Sequence, residues 1–229
     1  MPRAFSLPPI IFFDAVGTLI HPEPSAPSVY TAVGRRFGSR LDEAGIAIRF
    51  RAAFRRQEEV DYAAGLRTSE GREVGRWRTI VREVLDDVTD AEACFEELYE
   101  HFARPDAWAC APETAEVLGA LSSRGHVLGI ASNFDHRLHG LLQQLPPLCT
   151  VQHLVISSEV GWRKPAREFF TEMCRQARAP GEQILYVGDD PINDYDGARA
   201  AGLQAVLLDP HHRASIPPPA RLASLSNIL

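Results

Sequence analysis

The 229-residue sequence predicts an α/β fold, a doubly wound parallel sheet that carries an inserted all-helical domain. Two observations lead to this prediction. After about residue 110, short apolar runs alternate with helical patterns, which is the order of elements in a parallel α/β sheet. Residues 22–108 instead show amphipathic helical patterns and no good strand, and they follow directly after the first apolar run. The helical region is therefore expected to be an insertion in the sheet domain.

Short apolar runs are predicted to be the strands of this sheet. They are rich in branched residues and too short for buried helices, which is typical of strands buried on both faces. Each run ends at or beside polar residues, so polar side chains are expected along one edge of the sheet. The predicted strands span 9–14, 126–133, 153–157, 183–190 and 204–209.

The segments between the later runs are predicted to be helices that cover the sheet. Proline and glycine mark several of their ends, as expected for residues that start or stop a helix. The first and the last helix stop at Gly125 and Gly202, and the second ends before Pro146. The proline-rich stretch 217–220 is interpreted as a connector to a short last helix. The predicted helices span 112–123, 135–145, 165–178 and 192–201.

Apolar residues recur at helical spacing within the insertion. Val29 and Val33 share one helix face, and Trp77, Ile80 and Val84 share another. These patterns predict a bundle whose aromatic residues form its own core rather than a cofactor site. The predicted domains are a sheet core of residues 1–21 and 109–229 and a helical cap of residues 22–108.

Composition argues against several classes of partner. A formal net charge of −6 and a pI near 5.8 do not suit an electrostatic nucleic-acid binder. No apolar run is long enough to span a membrane, and residues 1–14 are interpreted as a strand because Pro8 and Pro9 interrupt any signal-peptide pattern. The 4 cysteines form no CxxC pair, which fits a reducing compartment. We therefore expect a cytoplasmic protein with no nucleic-acid, membrane or obligate protein partner.

Lys164 is the only lysine among the 24 lysine and arginine residues. A general preference for arginine explains the trend but not the lysine that remains. Because a compact ammonium and a planar guanidinium differ in shape and hydration, we interpret Lys164 as a position where the ammonium is required.

Polar residues at the ends of the predicted strands form one candidate site. In an open parallel sheet, ligands bind beyond the carboxyl ends of the strands. A carboxylate there can act as a nucleophile that accepts a phosphoryl group, and a lysine can neutralise the charge on that group. Hydroxyls and backbone amides can hold phosphate oxygens, and further carboxylates can hold Mg²⁺. The candidates are Asp14, Thr18, Ser132, Asn133, Lys164, Asp189, Asp190 and Asp194.

Four segments in this order resemble the motifs of the haloacid dehalogenase superfamily, which includes many phosphatases. DAVGT carries Asp14 and Thr18, GIASN carries Ser132, GWRKP carries Lys164, and GDDPIND carries Asp189. FDAVGTL is most similar to a REG-2-like subgroup of that superfamily. The resemblance implies a Rossmann-like core, a cap that closes over a small phosphorylated substrate, and Mg²⁺ as cofactor.

The resemblance also implies a role for each residue. Asp14 is expected to be the nucleophile, and Lys164 to act in catalysis and bind phosphate together with Thr18, Ser132 and Asn133. The expected metal ligands are Asp14, the backbone carbonyl of Val16 and Asp189. Asp194 is expected to orient Lys164 or a metal-bound water, and Asp190 to be a further outer carboxylate.

Val16 stands where phosphatases of this superfamily carry a second aspartate. That aspartate protonates the leaving group and later activates water, and a positioned acid or base is worth about 10²–10⁴-fold in rate. An alkyl phosphate is therefore expected to react poorly, whereas a phosphate with a stable leaving anion is expected to be affected less. His21 and Glu23, just downstream, are weaker candidates to replace the lost group.

Three functions remain open from the sequence. The favoured one is a Mg²⁺-dependent phosphatase whose substrate needs little acid help. A metal-independent 2-haloacid dehalogenase needs no acid, but GDDPIND retains a metal-binding pattern for which it has no use. A non-catalytic or very slow relative that binds a phosphorylated ligand or a protein is the third. A phosphonatase is excluded because residues 1–163 contain no lysine for a Schiff base.

Substrate specificity is expected to lie in the cap. Arg55, Arg67 and Arg76 are its candidate residues, although most of these arginines are expected on solvated helix faces.

Overall fold

The computed structural model describes residues 7–229 and confirms the predicted α/β fold, a parallel sheet with helices on both faces. The strands are β1 (Ile10–Phe13), β2 (Ile20–Pro22), β3 (Trp108–Cys110), β4 (Val127–Ser132), β5 (His153–Ile156), β6 (Ile184–Gly188), β7 (Gln204–Leu208) and β8 (Arg221–Leu222). The helices are α1 (Ala26–Arg36), α2 (Glu43–Ala63), α3 (Glu70–Val84), α4 (Ala91–His101), α5 (Thr114–Ser123), α6 (Arg137–Gln144), α7 (Ser157–Val160), α8 (Arg167–Ala177) and α9 (Gly197–Ala200).

The six strands of the main sheet lie in the order β5-β4-β1-β6-β7-β8, and every pair is parallel. After β1, the chain first forms β4 and β5 on one side of that strand. It then crosses over and forms β6 on the other side. Phe13 at the end of β1 aligns with Ile130 of β4 and Val187 of β6. The carboxyl ends of three neighbouring strands therefore meet at the switch point where a ligand site is expected.

Alternate residues of the strands face opposite helical layers. Ile11 and Phe13 belong to the apolar cluster that includes α5 and α6, whereas Phe12 packs with Phe169 and Phe170 of α8. Both faces are buried, so the strands read as continuous apolar runs, yet the two-residue period still decides which layer each side chain joins.

The predicted helix over 192–201 has a different form. Residues Pro191–Asp196 form a π-helical turn, and only Gly197–Ala200 continue as the α-helix α9. The Asp190 carboxylate caps the turn by accepting from the backbone N–H groups of Ile192 and Asn193. Such wide turns often occur at functional sites, and this one carries a candidate site residue, Asp194. The pair of residues that forms β8 and the short helix α7 were not predicted either.

Helices α1 to α4 form a bundle with an apolar cluster of its own. Each helix begins after a residue whose side chain accepts a hydrogen bond from a backbone N–H of the first turn, and these residues are Ser25, Asp42, Ser69 and Asp90. Such caps satisfy N–H groups that the helix itself leaves unpaired, which explains why the helices start where they do.

Two short antiparallel strands connect the bundle to the sheet domain. Ile20 of β2 lies opposite Cys110 of β3, and Pro22 lies opposite Trp108. The boundaries predicted at 22 and 108 fall on this β2–β3 ladder. Within residues 7–229, no helix is long and apolar enough to cross a membrane.

Candidate functional site

Asp14 lies directly beyond β1, at the centre of the sheet. Its backbone N–H donates to the carbonyl of Val187 at 2.8 Å, so the pairing of β1 with β6 extends to this residue. The residue is 6% exposed. Its carboxylate accepts a hydrogen bond from Lys164 Nζ at 2.7 Å. The sheet thus holds a buried carboxylate against the one lysine of the chain.

The Lys164 ammonium uses all three of its N–H groups. Besides Asp14, it donates to Asp194 Oδ1 at 2.6 Å and to the Tyr186 hydroxyl at 2.8 Å. Burial disfavours the ammonium, but the charges of Asp14 and Asp194 outweigh burial and raise the pKa of Lys164 well above its usual value. Lys164 is therefore charged throughout the physiological range. We call Lys164, Asp14, Asp194 and Tyr186 the lysine cluster.

Tyr186 was not among the predicted site residues. Its hydroxyl accepts from Lys164 and donates to the carbonyl of Ala131 at 2.5 Å, so it anchors the ammonium to β4. Burial raises the pKa of Tyr186 well above its usual value, which keeps the hydroxyl protonated. The only sequence signal was a polar group inside the apolar run QILYVG.

Asn133 holds the backbone of Lys164. Its Oδ1 accepts from the Lys164 N–H at 2.7 Å, and its Nδ2 donates to the Lys164 carbonyl at 3.1 Å. The side chain expected to bind phosphate is thus engaged in fixing the lysine loop. That Asn133 binds phosphate stays a prediction. The second N–H of its amide would have to donate that hydrogen bond.

Asp14, Asp189 and Asp194 offer carboxylate oxygens that lie within 4.8 Å of one another. Glycines make this approach possible. Gly17 has φ +90°, and a Cβ at this position would overlap the Asp189 carboxylate. A Cβ on Gly188 would overlap the Asp194 carboxylate. Two of the predicted metal ligands, Asp14 and Asp189, are therefore brought together.

The clustered carboxylates disfavour one another's charge. Crowding by protein atoms, followed by the charges of Asp14 and Asp194, raises the pKa of Asp189 to about 7, although Asp189 remains in contact with solvent. Burial likewise raises the pKa of Asp194, against the opposing effect of Lys164. A set of oxygen ligands with excess negative charge fits a hard divalent cation such as Mg²⁺.

Asp194 is already engaged by the protein. Its Oδ1 accepts from Lys164, and its Oδ2 accepts from the backbone N–H of Asp190 at 2.9 Å. These contacts match the expected orienting role more closely than direct metal binding. Asp190 itself caps the π-helical turn, and its predicted part as an outer carboxylate stays a prediction.

The predicted hydroxyl groups lie at the same edge of the sheet. Thr18 is buried, and its Oγ1 is 3.4 Å from Asp189 Oδ1. Ser132 is the last residue of β4, and its side chain forms no hydrogen bond within the described part of the chain. Its hydroxyl therefore remains available to a ligand.

His21 and Glu23 lie on and just after β2, with His21 Nε2 4.0 Å from Glu23 Oε2 and both side chains exposed. Among residues 7–229, neither is hydrogen-bonded to a member of the lysine cluster. A role in replacing the lost acid therefore stays a prediction.

The loop that carries Lys164 is fastened to the cap. The backbone N–H of Arg163 donates to the carbonyl of Leu66, and its guanidinium pairs with Glu73 of α3 and lies 3.5 Å from Asp61 of α2. All three charged side chains are buried. No pattern in the sequence indicates these contacts, because they join segments far apart in the chain. We call this set of contacts the Arg163 tie.

The arginines expected to set specificity lie in different places. Arg55 is exposed, and Arg67 is exposed and stacks on Trp162 with its guanidinium carbon 4.3 Å from the ring centre. The expectation of a solvated face is wrong for Arg76, which is 1% exposed and donates to Asp61 Oδ2 at 3.0 Å. Asp61 provides the buried partner that a buried guanidinium requires.

An apolar cavity of about 250 Å³ lies between the four cap helices and the sheet domain. Aromatic side chains provide much of its wall, and Val16 and Asn133 line the end that faces the sheet. We call it the cap cavity. The prediction that the aromatic residues of the cap only fill its core is therefore incomplete.

Comparison with known proteins gives consistent matches. A family model described as a haloacid dehalogenase-like hydrolase matches residues 8–202. The human haloacid dehalogenase-like hydrolase domain-containing protein 3 is 30% identical over 232 residues, covering 96% of this chain and 92% of that protein.

Solved structures with the same fold include a dehalogenase with an intermediate complex, at a TM-score of 0.74 and 16% identity over 98% of this chain and 97% of that chain. A putative HAD-hydrolase from Bacillus subtilis bound to magnesium has a TM-score of 0.73 and 17% identity over 97% of each chain. At these identities, the likeness concerns the fold alone.

Proposed function

The chain belongs to the haloacid dehalogenase-like hydrolase family, and we propose that it is a Mg²⁺-dependent phosphatase acting on a small phosphorylated metabolite. One observation carries the proposal: a buried carboxylate, Asp14, is held 2.7 Å from Lys164 Nζ, and its oxygens lie within 4.8 Å of those of Asp189 and Asp194. A nucleophile, a fixed positive charge and ligands for a divalent cation are thus combined in one place.

The proposed reaction proceeds in two displacements at phosphorus. An Asp14 oxygen attacks the phosphorus atom, and the bond from phosphorus to the leaving-group oxygen breaks, so that the leaving group departs with the electron pair. Water then attacks the aspartyl phosphate, loses a proton to solvent or a nearby base, and releases inorganic phosphate with Asp14 restored. When bound at Asp14 and Asp189, Mg²⁺ would neutralise phosphoryl charge.

The surrounding residues bind the phosphoryl group and keep the nucleophile in place. Lys164 balances the charge of Asp14 and of the transferred group, while Tyr186 and Asp194 fix the direction of its ammonium. The Thr18 and Ser132 hydroxyls lie at the same edge of the sheet and are suited to bind phosphoryl oxygens.

Val16 restricts the leaving group. A valine side chain cannot donate a proton, so the departing oxygen must be stable as an anion. An aryl oxide or a carboxylate satisfies this condition, whereas an alkoxide does not. We therefore propose aryl or acyl phosphates as the reactive class. A net charge of −6 supports a small-molecule substrate rather than a nucleic acid.

The first test is hydrolysis of phenyl phosphate with Mg²⁺ by wild type and by Asp14→Asn. The substitution keeps the shape but removes the nucleophile, so kcat is expected to fall by at least about 10⁴-fold. Asp86→Asn, at an exposed cap position, is the matched control and should leave kcat unchanged. Activity that survives Asp14→Asn would show that another group is the nucleophile.

A 2-haloacid dehalogenase is the second candidate, favoured by Val16 and by the apolar cap cavity. In that reaction Asp14 would displace halide from carbon, and water would hydrolyse the resulting ester. Halide release from 2-chloropropionate in the presence of EDTA tests this candidate. Release at a rate unaffected by EDTA, together with no phosphate release from phenyl phosphate, would replace the phosphatase proposal.

A further inference from the structure

All four cap helices contribute to the wall of the cap cavity. Tyr30 comes from α1, Phe54 from α2, Trp77 from α3 and Phe95 from α4. Side chains with this area normally fill the centre of a bundle completely, since protein interiors are close-packed. Here they leave about 250 Å³ open, more than the roughly 150 Å³ of an apolar cavity that holds benzene.

The cavity ends at the loops of the catalytic site. Val16 lines it and is two residues beyond Asp14, while Asn133 lines it and holds the backbone of Lys164. A group bonded to a phosphorus atom at Asp14 would therefore lie beside residues that also line the cavity. Val16 presents apolar atoms to that group.

Charge at the wall of the cavity is limited and already paired. Among residues 7–229, Arg137 is the only charged residue that lines the cavity, and Asp135 pairs with it through two hydrogen bonds of 2.7 Å each. A further N–H of Arg137 donates to the carbonyl of Tyr99 at 3.1 Å, and the guanidinium carbon lies 3.8 Å from the centre of the Tyr99 ring. Because Asp135 already neutralises this guanidinium, the cavity does not suit an anionic group.

Tyr30 brings a hydroxyl to the wall of the cavity. The residue lines the cavity and is 2% exposed, and no group in the described chain hydrogen-bonds its hydroxyl. The hydroxyl is not one of the fully enclosed unpaired side-chain atoms of residues 7–229, which are Arg76 Nη2 and His101 Nε2, so it borders space that a ligand or a water molecule can fill.

We propose that the cap cavity binds the leaving group of the substrate and that this group is uncharged, apolar and built around a single aromatic ring. The inference rests on the proposed phosphatase function and names its substrate class. Aromatic walls complement an aromatic ring through edge and face contacts. A phenol-type leaving group also departs as a stabilised anion, which explains why the site can function with Val16.

Two substrates distinguish an effect on ring binding in the cavity from an effect on the reaction at phosphorus. Phenyl phosphate places a ring in the cavity, whereas acetyl phosphate has a good leaving group that is too small to use it. The measured quantity is the ratio of kcat/KM for phenyl phosphate to that for acetyl phosphate, with Mg²⁺ present. Effects on the nucleophile or the metal cancel in this ratio.

Two variants should change specificity in opposite directions. Val81→Phe fills the cavity from α3 and should lower the phenyl-to-acetyl ratio at least tenfold. Leu98→Ala enlarges it from α4 and should raise kcat/KM for 1-naphthyl phosphate relative to phenyl phosphate about tenfold. Val60→Phe, at an exposed position of α2 outside the cavity, is the matched control and should change neither ratio.

Direct binding separates a failure of this inference from a failure of the proposed function. Phenol, titrated by calorimetry into the full chain, is expected to bind wild type and to bind Val81→Phe at least tenfold more weakly, while glycerol gives no signal. Absence of phenol binding, or equal binding by Val81→Phe, overturns the cavity as a ring site. Phenol binding with an unchanged phenyl-to-acetyl ratio overturns its role for the leaving group. If phenol binds but no phosphate is hydrolysed, the proposed function fails, and the leaving-group role fails with it.

Discussion

The lysine cluster includes Asp14, the cap cavity is lined by Val16 two residues further along the chain, and the two regions are built in opposite ways. In the lysine cluster, every N–H of the Lys164 ammonium has a fixed partner, and its position is set within hydrogen-bond geometry. In the cap cavity, the wall is apolar, its one guanidinium is neutralised, and an open volume remains. Charge fixes the reacting atoms in the first region, whereas shape selects a ligand in the second. Changes in the cluster should therefore affect all substrates alike, and changes in the cavity should alter their ranking.

The largest effect is expected from Lys164→Met. Removing the ammonium leaves the charge on Asp14 and on the phosphoryl group unbalanced, so kcat/KM should fall about 10³-fold for both phenyl and acetyl phosphate. Loss of one partner also leaves two carboxylates buried without a counter-charge, which should lower the free energy of unfolding by about 3 kcal/mol at pH 7. Steady-state kinetics and urea denaturation measure the two effects.

Lys164→Arg is the companion variant. It keeps the charge but places a larger planar group in a cluster fitted to an ammonium, so it should recover stability more than activity. A lysine variant that changes the phenyl-to-acetyl ratio would contradict the division between the two regions.

The next effect concerns Val16, which belongs to both regions. Val16→Asp restores a carboxyl group where proton transfer to the leaving group is needed. Benzyl phosphate carries a ring but leaves as a poor alkoxide, so its kcat/KM should rise about tenfold, while that of phenyl phosphate should change little. Val60→Asp, exposed on α2, is the matched control. A folded variant with no gain on benzyl phosphate would show that proton donation does not limit the wild type.

A smaller effect is expected from Arg163→Met, because the Arg163 tie acts on Lys164 through the loop. Loss of the guanidinium leaves Glu73 and Asp61 with fewer buried partners and loosens the loop, so kcat should fall about tenfold with little change in KM. Arg104→Met removes an exposed guanidinium and should leave kcat unchanged. An increase in KM alone would assign the tie to substrate binding instead.

The smallest effect is a pH dependence of stability due to Asp189. Because its pKa is raised from 3.8 to about 7, the folded, metal-free protein binds this proton more tightly than the unfolded chain does. The stabilisation that this proton provides is therefore present below pH 3.8 and is lost as the pH rises toward about 7. Asp189→Asn should match wild type in Tm near pH 4 and exceed it at pH 7 without Mg²⁺.

Mg²⁺ should reverse the order of the Tm values of wild type and Asp189→Asn at pH 7. Added Mg²⁺ is expected to raise the Tm of wild type at pH 7 and to have little effect on Asp189→Asn, because the variant lacks one ligand. Asp86→Asn serves as the surface control. Equal Mg²⁺ stabilisation of wild type and Asp189→Asn would exclude Asp189 as a ligand.

The strands and the carboxylates at their ends could be predicted because both depend on local sequence. A buried parallel strand is a continuous apolar run, and the residue beyond it lies at the carboxyl edge of the sheet whatever its neighbours are. Asp14 and Asp189, each directly beyond a strand, could therefore be assigned to one site before their contacts were known. The main difference within the fold was the π-helical turn, in which the Asp194 carboxylate accepts from Lys164.

The rest of the site depends on contacts between distant segments. The apolar strand pattern around Tyr186 would be the same whether its hydroxyl bonded to a lysine or only to a backbone carbonyl. Arg76 and Arg163 look like surface residues in the sequence, and only the positions of Asp61 and Glu73 make their burial possible. The cap cavity is a volume that helices fail to fill, and hydrophobic periodicity indicates which face is buried but not how completely it packs.

The β2–β3 ladder brings the two ends of the cap insertion together. The chain leaves the sheet domain and returns to it at adjacent points, since Ile20 lies opposite Cys110. A tight turn between these positions would leave the main six-stranded sheet intact, and a different bundle could be grafted there without changing its strand order. Such a graft would destabilise the loop before Lys164, because Arg163 would lose its partners in α2 and α3. A replacement cap would need to supply a new acidic partner for Arg163 and a new acceptor for Arg137, which now donates to the Tyr99 carbonyl.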